Sequence, residues 1–202
     1  MTSRLLLATR NKGKLEEMRA ILRDLDVRLV DLDGFDHLPD AVEDGHSFPE
    51  NAKKKAVHFY NLTGVPSVAD DSGLCVDALS GEPGVRSSRW ESSDDRRIAK
   101  LLAAMEGFPD EHQRAACFRC AICLYAGEKG TLETEGMVEG IISQEPKGSS
   151  GFGYDPVFFY PPFKKTFAEM SSQEKNQISH RSRALNHFKK LLAEWLEKSA
   201  GS

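Results

Sequence analysis

The chain has 202 residues, with 27 basic and 31 acidic side chains and a formal net charge of −4. This length can bury a contiguous apolar core, and 40% hydrophobic with 29% charged residues is typical of a soluble globular protein. The charge balance argues against a nucleic acid polymer as partner. No apolar run approaches the roughly 20 residues of a membrane span, and no signal peptide is evident, so we expect a cytoplasmic protein without a membrane partner.

Strand and helix patterns alternate along the chain. Short apolar or alternating runs predict strands, which cover residues 4–8, 27–32, 67–69, 74–79, 114–126 and 131–143. Apolar residues at helical spacing predict helices, which cover residues 14–25, 48–62, 94–105 and 181–198. This alternation indicates an α/β fold with a mixed central sheet. Because no long linker interrupts it, residues 1–202 are predicted to form a single domain.

Polar residues with capping propensity mark the predicted helix boundaries. Ser47 with Glu50, and Ser171 with Glu174, have the spacing of capping boxes. Gly64 follows the second predicted helix, where a glycine is a common terminator. The segment before Ser47, residues 33–45, is predicted to be a loop.

Three of the four cysteines lie close together, at Cys117, Cys120 and Cys123, with a spacing that superficially resembles an iron–sulfur site. In the strand predicted there, Cys117 and Cys123 point to one face and Cys120 to the other, so three thiolates do not converge. No fourth cysteine follows nearby, and Cys75 stands alone in the sequence. We therefore expect buried, reduced cysteines in a reducing compartment.

Four polar clusters lie at the ends of predicted elements, where α/β proteins commonly bind ligands. The first is the loop at residues 9–14, which lies between a strand and a helix N-terminus and offers backbone N–H groups to an anion. It is not a Walker A loop, because Ala8 replaces a glycine and Leu15 replaces the magnesium-binding Ser or Thr. Alone, it is equally consistent with a plain strand-to-helix turn.

The second cluster joins acidic residues before the second predicted helix with polar residues on that helix. Its members are Glu43, Asp44, Glu50, Asn51 and the lysines at 53–55. Successive helical residues point about 100° apart, so at most one or two of the lysines face a common site.

The third cluster contains two adjacent carboxylates, Asp70 and Asp71, followed by Ser72 and Gly73. Like charges this close need a cation or an electropositive pocket. Oxygen ligands suit Mg²⁺, which one or two carboxylates commonly share with a polyphosphate. The alternative is an Asx-type turn that carries incidental acids.

The fourth cluster combines an aromatic ring with polar groups in the C-terminal part of the chain. Phe152 lies between two glycines, which leaves its ring free to stack on a base. Asp155, His180 and Arg181 supply hydrogen-bond acceptors and donors for a base edge or a phosphate. His180 alone would more often be a residue of a helix-capping turn.

Together these clusters resemble the inosine triphosphate pyrophosphatase family over nearly the whole chain. Five motifs match in order, at residues 9–14, Glu43 with residues 48–52, residues 69–74, residues 151–156 and residues 174–181. The resemblance implies an elongated, two-lobed α/β fold with a nucleotide cleft between the lobes, and a homodimer. It also implies hydrolysis of non-standard purine nucleoside triphosphates (ITP, dITP and XTP) to the monophosphate and pyrophosphate, with Mg²⁺ as cofactor, which removes them from the nucleotide pool.

The resemblance also implies roles for individual residues. Metal ligands fall on Glu43 and Asp71, and catalytic positions fall on Asp71, Asp70 and Lys55. Family members differ in which acid activates water, so both aspartates are candidates. The substrate-binding positions are Thr9, Arg10, Asn11, Lys12, Gly13, Lys14, Ser72, Phe152, Gly153, Tyr154, Asp155, Lys175, His180 and Arg181. Selectivity is expected from a donor to the six-oxo oxygen of the purine, on Arg181 or His180.

Two differences from the family and three rival functions remain open. Some members have a small residue at Arg10 and Trp at Tyr154, so no specific phosphate contact is assigned to Arg10. A Maf-type pyrophosphatase would share the reaction but not the two C-terminal motifs. A nucleotide-binding sensor would release no pyrophosphate, and a phosphohydrolase would release single phosphate.

Overall fold

The computed structural model describes residues 3–33, 35 and 37–200. Its strands are β1 (Ser3–Leu7), β2 (Val27–Val30), β3 (Ser67–Val76), β4 (Ala115–Tyr125), β5 (Thr131–Ile142), β6 (Phe158–Tyr160) and β7 (Lys165–Thr166). Its α-helices are α1 (Lys12–Leu22), α2 (Phe48–Thr63), α3 (Asp94–Ala104), α4 (Ser172–Ile178) and α5 (His180–Ala200). No described helix has both the length and the apolar character to cross a membrane.

The strands form a mixed sheet, as predicted. Within the described ranges it has seven strands in the order β2-β1-β3-β4-β5-β6-β7. β1 pairs in parallel with β2 and β3, whereas β6 pairs antiparallel with β5 and β7. The α/β class with a mixed sheet is therefore confirmed.

The chain divides into two compact units, each with its own apolar core. The first unit comprises residues 1–71, 120–136 and 181–202, and the second comprises residues 72–119 and 137–180. The core of the first unit includes Leu7, Met18 and Phe188. The core of the second includes Leu101, Phe158 and Phe167. The predicted single domain stays a prediction.

β3 differs most from the sequence-based expectation. The acidic cluster was expected between two strand segments, but β3 runs without a break from Ser67 through Asp70 and Asp71 to Val76. In a strand, successive side chains project to opposite faces, so the two carboxylates diverge. The alternative of an Asx-type turn at this cluster is wrong.

Helix boundaries agree with the predictions within a few residues. Ser47 caps α2 by accepting from the N–H of Glu50, and Gly64 ends the helix in the left-handed conformation. The predicted capping box at Ser47 forms only in part, because the Glu50 carboxylate accepts from the N–H of His46 instead. The box of Ser171 and Glu174 at α4 is complete. Two residues of the predicted loop 33–45, at positions 34 and 36, lie outside the described residues.

The cysteines lie in strands, and none is in a disulfide. Cys120 and Cys123 are buried as expected, whereas Cys75 and Cys117 are only half-buried. Cys75 stands alone in the sequence, but its thiol is close enough to Cys117 to change the titration of that residue. The neighbouring Cys75 thiol and the charge of Arg119 lower the pKa of Cys117 to about 7. No group of three or more metal-binding side chains occurs among the described residues.

Candidate functional site

In the first unit, the loop at residues 9–14 connects the buried strand β1 to α1. Asn11 caps the helix, because its Oδ1 accepts from the N–H of Lys14 at 3.0 Å. The Thr9 hydroxyl accepts from the N–H of Asn11 at 3.2 Å. These bonds hold the loop against the first turn of α1, where the partial positive charge of the helix favours an anion.

Arg10 contacts a neighbouring loop of the same unit. Its Nε lies 3.1 Å from Oδ1 of Asp40, and its guanidinium donates to the carbonyl of Leu38 at 3.1 Å. Arg10 therefore helps to hold the segment before α2. Lys12, at the same helix start, is exposed.

Asp70 is fully buried and forms ion pairs with two cations. Its Oδ2 lies 3.0 Å from Nζ of Lys14 and 3.1 Å from Nε of Arg181. Burial alone would raise the pKa of Asp70, but the positive charges of Lys14, Arg181 and Lys55 outweigh burial and hold it well below its usual range. Asp70 is therefore a permanent buried anion that fixes both cations.

Arg181 also pairs with a second carboxylate, on α1. Its Nη1 lies 2.5 Å from Oε2 of Glu17, and the arginine side chain is only 2% exposed. Burial disfavours the charged guanidinium, yet Asp70 and Glu17 raise its pKa above the ordinary value. The resemblance grouped Arg181 with the nucleoside-binding residues, whereas these contacts make it a counter-ion of the two acids.

Asp71 forms a hydrogen bond with a neutral side chain. Its Oδ2 accepts from Nδ2 of Asn51 on α2 at 3.0 Å. Burial raises the pKa of Asp71, and the neighbouring charge of Glu43 acts in the same direction, while Lys14 and Lys55 partly oppose them. Asp71 is thus a buried carboxylate held by a neutral amide.

Lys55 is the lysine of the 53–55 run that faces these acids. Its Nζ lies 3.0 Å from Oε2 of Glu43 and donates to the carbonyl of Asp70 at 3.1 Å. Lys53 instead pairs with Glu133, and Lys54 pairs with acids near the start of α2. The expectation that at most one or two of these lysines face a common site agrees with their contacts.

The donor chemistry of Glu43 and Asp71 fits a hard divalent cation. Both offer carboxylate oxygens, and the repulsive effect of Glu43 on Asp71 is what a bound cation would relieve. Mg²⁺ typically uses one or two protein carboxylates and completes its shell with water and phosphate oxygens.

In the second unit, residues 151–155 form a tight turn around the Asp155 carboxylate. The N–H of Phe152 donates to Asp155 Oδ2 at 2.9 Å. Gly151 has φ +80°, and a Cβ there would lie 2.0 Å from the same oxygen, so no side chain fits. The N–H of Gly153 donates to Asp94 Oδ2 at 2.8 Å. Hydrogen bonds from the backbone N–H groups of Phe152 and Gly153 therefore fix this turn.

Lys175 connects this turn to α4. Its Nζ lies 2.7 Å from Asp155 Oδ2, and both side chains are less than 10% exposed. The same ammonium lies 4.7 Å from the centre of the Phe152 ring, within the range of a cation–π contact. Phe152 and Asp155 thus form one local cluster with Lys175, which lies 20 residues after Asp155 in the sequence.

Tyr154 and His180 are largely buried residues of the second unit. The Tyr154 hydroxyl donates to the carbonyl of Ser87 at 3.1 Å, and burial raises its pKa. The His180 ring stacks on Phe118 with ring centres 4.7 Å apart. Ser72, on β3, is half-buried.

Three residues with clear roles at these clusters were not predicted from the sequence. Glu17 pairs with Arg181, Asn51 holds Asp71, and Asp94 holds Gly153. A signal existed for Glu17, because it lies three residues after Lys14 and so on the same helical face. Asn51 was part of the second polar cluster and of one of the five motifs, but no role was assigned to it, and Asp94 was only the first residue of a predicted helix.

A family model for the Ham1 family matches residues 5–191. The chain belongs to the Ham1 family. A relative from Geobacter sulfurreducens, named a dITP/XTP pyrophosphatase, is 48% identical over 188 residues, which cover 91% of this chain and 93% of the relative. A protein of the same name from Desulfotalea psychrophila is 42% identical over 98% of this chain and 90% of its own length.

Solved structures of Ham1 proteins also match. A HAM1 protein from Coxiella burnetii has a TM-score of 0.87 and 44% identity, and the match covers 95% of this chain and 99% of that one. The Ham1 protein of Staphylococcus aureus has a TM-score of 0.84 and 35% identity, over 94% and 98% of the two chains. The family resemblance drawn from the five sequence motifs is therefore confirmed.

Proposed function

We infer that this Ham1 protein hydrolyses the non-standard purine nucleoside triphosphates dITP, XTP and ITP to the monophosphate and pyrophosphate. Family membership and the names of full-length relatives support this activity. The observation that carries it is the arrangement in the first unit. There, Lys14 and Lys55 lie beside the carboxylates of Asp70 and Glu43, close to the start of α1. Cations and metal-binding acids together suit a metal–polyphosphate substrate better than a simple anion.

In the proposed mechanism, Lys14 and Lys55 bind phosphate oxygens and neutralise the charge that develops on the departing pyrophosphate. Glu43 and Asp71 would hold the divalent cation, and we propose that this cation is Mg²⁺. When bound, such a cation polarises phosphoryl oxygens and offsets their negative charge. The backbone N–H groups of the loop at residues 9–14 add further donors to the phosphates.

We assign the activation of water to Asp71 and a structural charge role to Asp70. Asp70 is fully buried, and one of its oxygens is already bound by two cations. Asp71 is held on one oxygen by the neutral Asn51 amide, which orients the carboxylate without adding a positive charge. In this scheme a proton passes from the attacking water to a carboxylate oxygen of Asp71.

We propose that the second unit supplies recognition of the base. The Phe152 ring offers a stacking face, and Lys175, held by Asp155, offers a donor beside it. Arg181 is committed to Asp70 and Glu17, so of the two predicted donors to the six-oxo oxygen we favour His180. A 6-amino purine would then leave that donor without an acceptor, which can cost several powers of ten in rate.

The test of the function is product analysis with dITP and MgCl₂. Equimolar dIMP and pyrophosphate support it, and the Asp71→Asn variant serves as the low-activity control. Release of single phosphate would instead indicate a phosphohydrolase, and binding without turnover would indicate a sensor. A panel with dATP, dGTP, dCTP and dTTP separates this activity from a Maf-type preference for pyrimidine nucleotides.

We also propose a homodimer, which the family resemblance implies. We further propose a single domain and a cytoplasmic location, which the sequence predicts. Light scattering of the purified protein tests the first, because a homodimer has twice the 22.4 kDa mass of the chain. One cooperative unfolding transition, seen with several probes, supports a single domain. Cell fractionation tests the location.

A further inference from the structure

With its two amide atoms, Asn51 contacts both Asp71 and the loop that carries Glu43. Nδ2 donates to Asp71 Oδ2 at 3.0 Å, and Oδ1 accepts from the N–H of Gly45 at 2.8 Å. The Asn51 side chain is fully buried. A carboxamide side chain carries a hydrogen-bond donor, its NH₂ group, and an acceptor, its carbonyl oxygen, in one plane.

The backbone around Gly45 is packed tightly against α2. A Cβ at Gly45 would lie 2.7 Å from Oδ1 of Asn51 and 2.9 Å from Cδ of Glu50, so a larger residue needs these side chains or the loop to move. The next residue, His46, donates its N–H to the Glu50 carboxylate at 2.9 Å. Glu43 lies only two residues before Gly45, so this packing limits where the Glu43 backbone can lie.

We propose that Asn51 is a positioning residue that holds Asp71 and the Glu43-bearing loop in one fixed relation, so that the two carboxylates bind a single divalent cation. The proposal rests on the proposed function for its catalytic meaning. Asn51 touches neither substrate nor cation in this scheme. It acts by fixing Asp71 directly and Glu43 through the backbone at Gly45.

Two substitutions test the two sides of this arrangement. Asn51→Leu keeps the branched shape of the side chain and removes both hydrogen bonds, while Gly45→Ala retains Asn51 but places a methyl group against its Oδ1. Loss of a residue that orients a metal ligand typically costs about 10- to 100-fold in metal affinity. We expect both variants to weaken Mn²⁺ binding by this factor, measured by electron paramagnetic resonance without nucleotide.

The matched control is Ser47→Ala. It removes the N-cap of the same helix, where Ser47 Oγ accepts from the N–H of Glu50 at 3.3 Å, but leaves both Asn51 bonds in place. This variant should melt at a lower temperature and still bind Mn²⁺ within twofold of wild type. All titrations are run well below the lowest melting temperature, and if Asn51→Leu does not fold, Gly45→Ala decides the question.

Kinetics provide the second readout. At saturating dITP, both test variants should need about 10- to 100-fold more Mg²⁺ for half-maximal rate, while KM for dITP at saturating Mg²⁺ changes less than threefold. If a test variant is destabilised but binds Mn²⁺ as tightly as wild type, Asn51 has only a structural role. Failure of wild type to bind Mn²⁺ would also overturn the proposal. Mn²⁺ binding without pyrophosphate release would overturn the proposed function alone.

Discussion

Asp70→Asn should destabilise the protein strongly, because Asp70 is a buried anion between two cations. Its Oδ2 lies 3.0 Å from Lys14 Nζ and 3.1 Å from Arg181 Nε, and the carboxylate is fully buried. Breaking a buried ion pair by removing one partner costs about 3–5 kcal/mol. The asparagine oxygen can still accept one hydrogen bond, and Arg181 keeps Glu17, so we expect a net loss of about 2–3 kcal/mol.

For a chain of this length, each kcal/mol shifts the melting temperature by about 2–4 °C. Asp70→Asn should therefore melt about 4–12 °C below wild type in a calorimetric scan. The control is Asp40→Asn, because Asp40 forms an ion pair of 3.1 Å with Arg10 but is 81% exposed. Such a surface pair contributes about 0–1 kcal/mol. Equal melting temperatures for the two variants would contradict a buried charge network at Asp70.

Three further predictions concern catalysis, base selection and thiol reactivity. Asp71→Asn should lower kcat by about 10² or more with little change in stability, and near-normal turnover of dITP would remove Asp71 as the base. Arg181→Gln should lower kcat/KM for dITP and dATP by the same factor, whereas His180→Ala should reduce the dITP preference; the opposite pattern would return the discriminating role to Arg181. Iodoacetamide should alkylate Cys117 faster as pH rises through about 7, because the thiolate is the reactive form. Cys75→Ala should shift that profile to higher pH, and peptide mass spectrometry locates the label.

The regular elements of the fold could be predicted because their signals are local. The apolar periodicity of α5, with Leu185, Phe188 and Leu192 buried, depends only on residues near one another in sequence. The capping box at Ser171 is equally local. The two-residue strand β7 has too short a pattern to predict, since it depends on pairing with β6.

The acidic cluster in β3 could be located from sequence but not interpreted fully. Asp70-Asp71-Ser72-Gly73 has the composition of a turn, because isolated adjacent acids are unfavourable in a strand. The strand continues because Lys14 and Arg181, which lie 56 residues before and 111 residues after Asp70, neutralise that carboxylate. Pairings this distant leave no periodic signal.

The contacts of Arg181 also could not be predicted from the sequence. His180 and Arg181 are adjacent in one motif, and the resemblance placed both at the nucleoside. At the start of a helix, adjacent side chains point about 100° apart. His180 stacks on Phe118, whereas Arg181 reaches Glu17, 164 residues earlier. The motif therefore located these two residues but not the partner that each one contacts.

The attack of water on the α-phosphorus is tested most directly by hydrolysis of dITP in H₂¹⁸O. If Asp71 activates a water for that attack and pyrophosphate leaves as one unit, mass spectrometry will find one ¹⁸O atom in dIMP and none in pyrophosphate. Label in pyrophosphate, or in free phosphate, would contradict the proposed reaction.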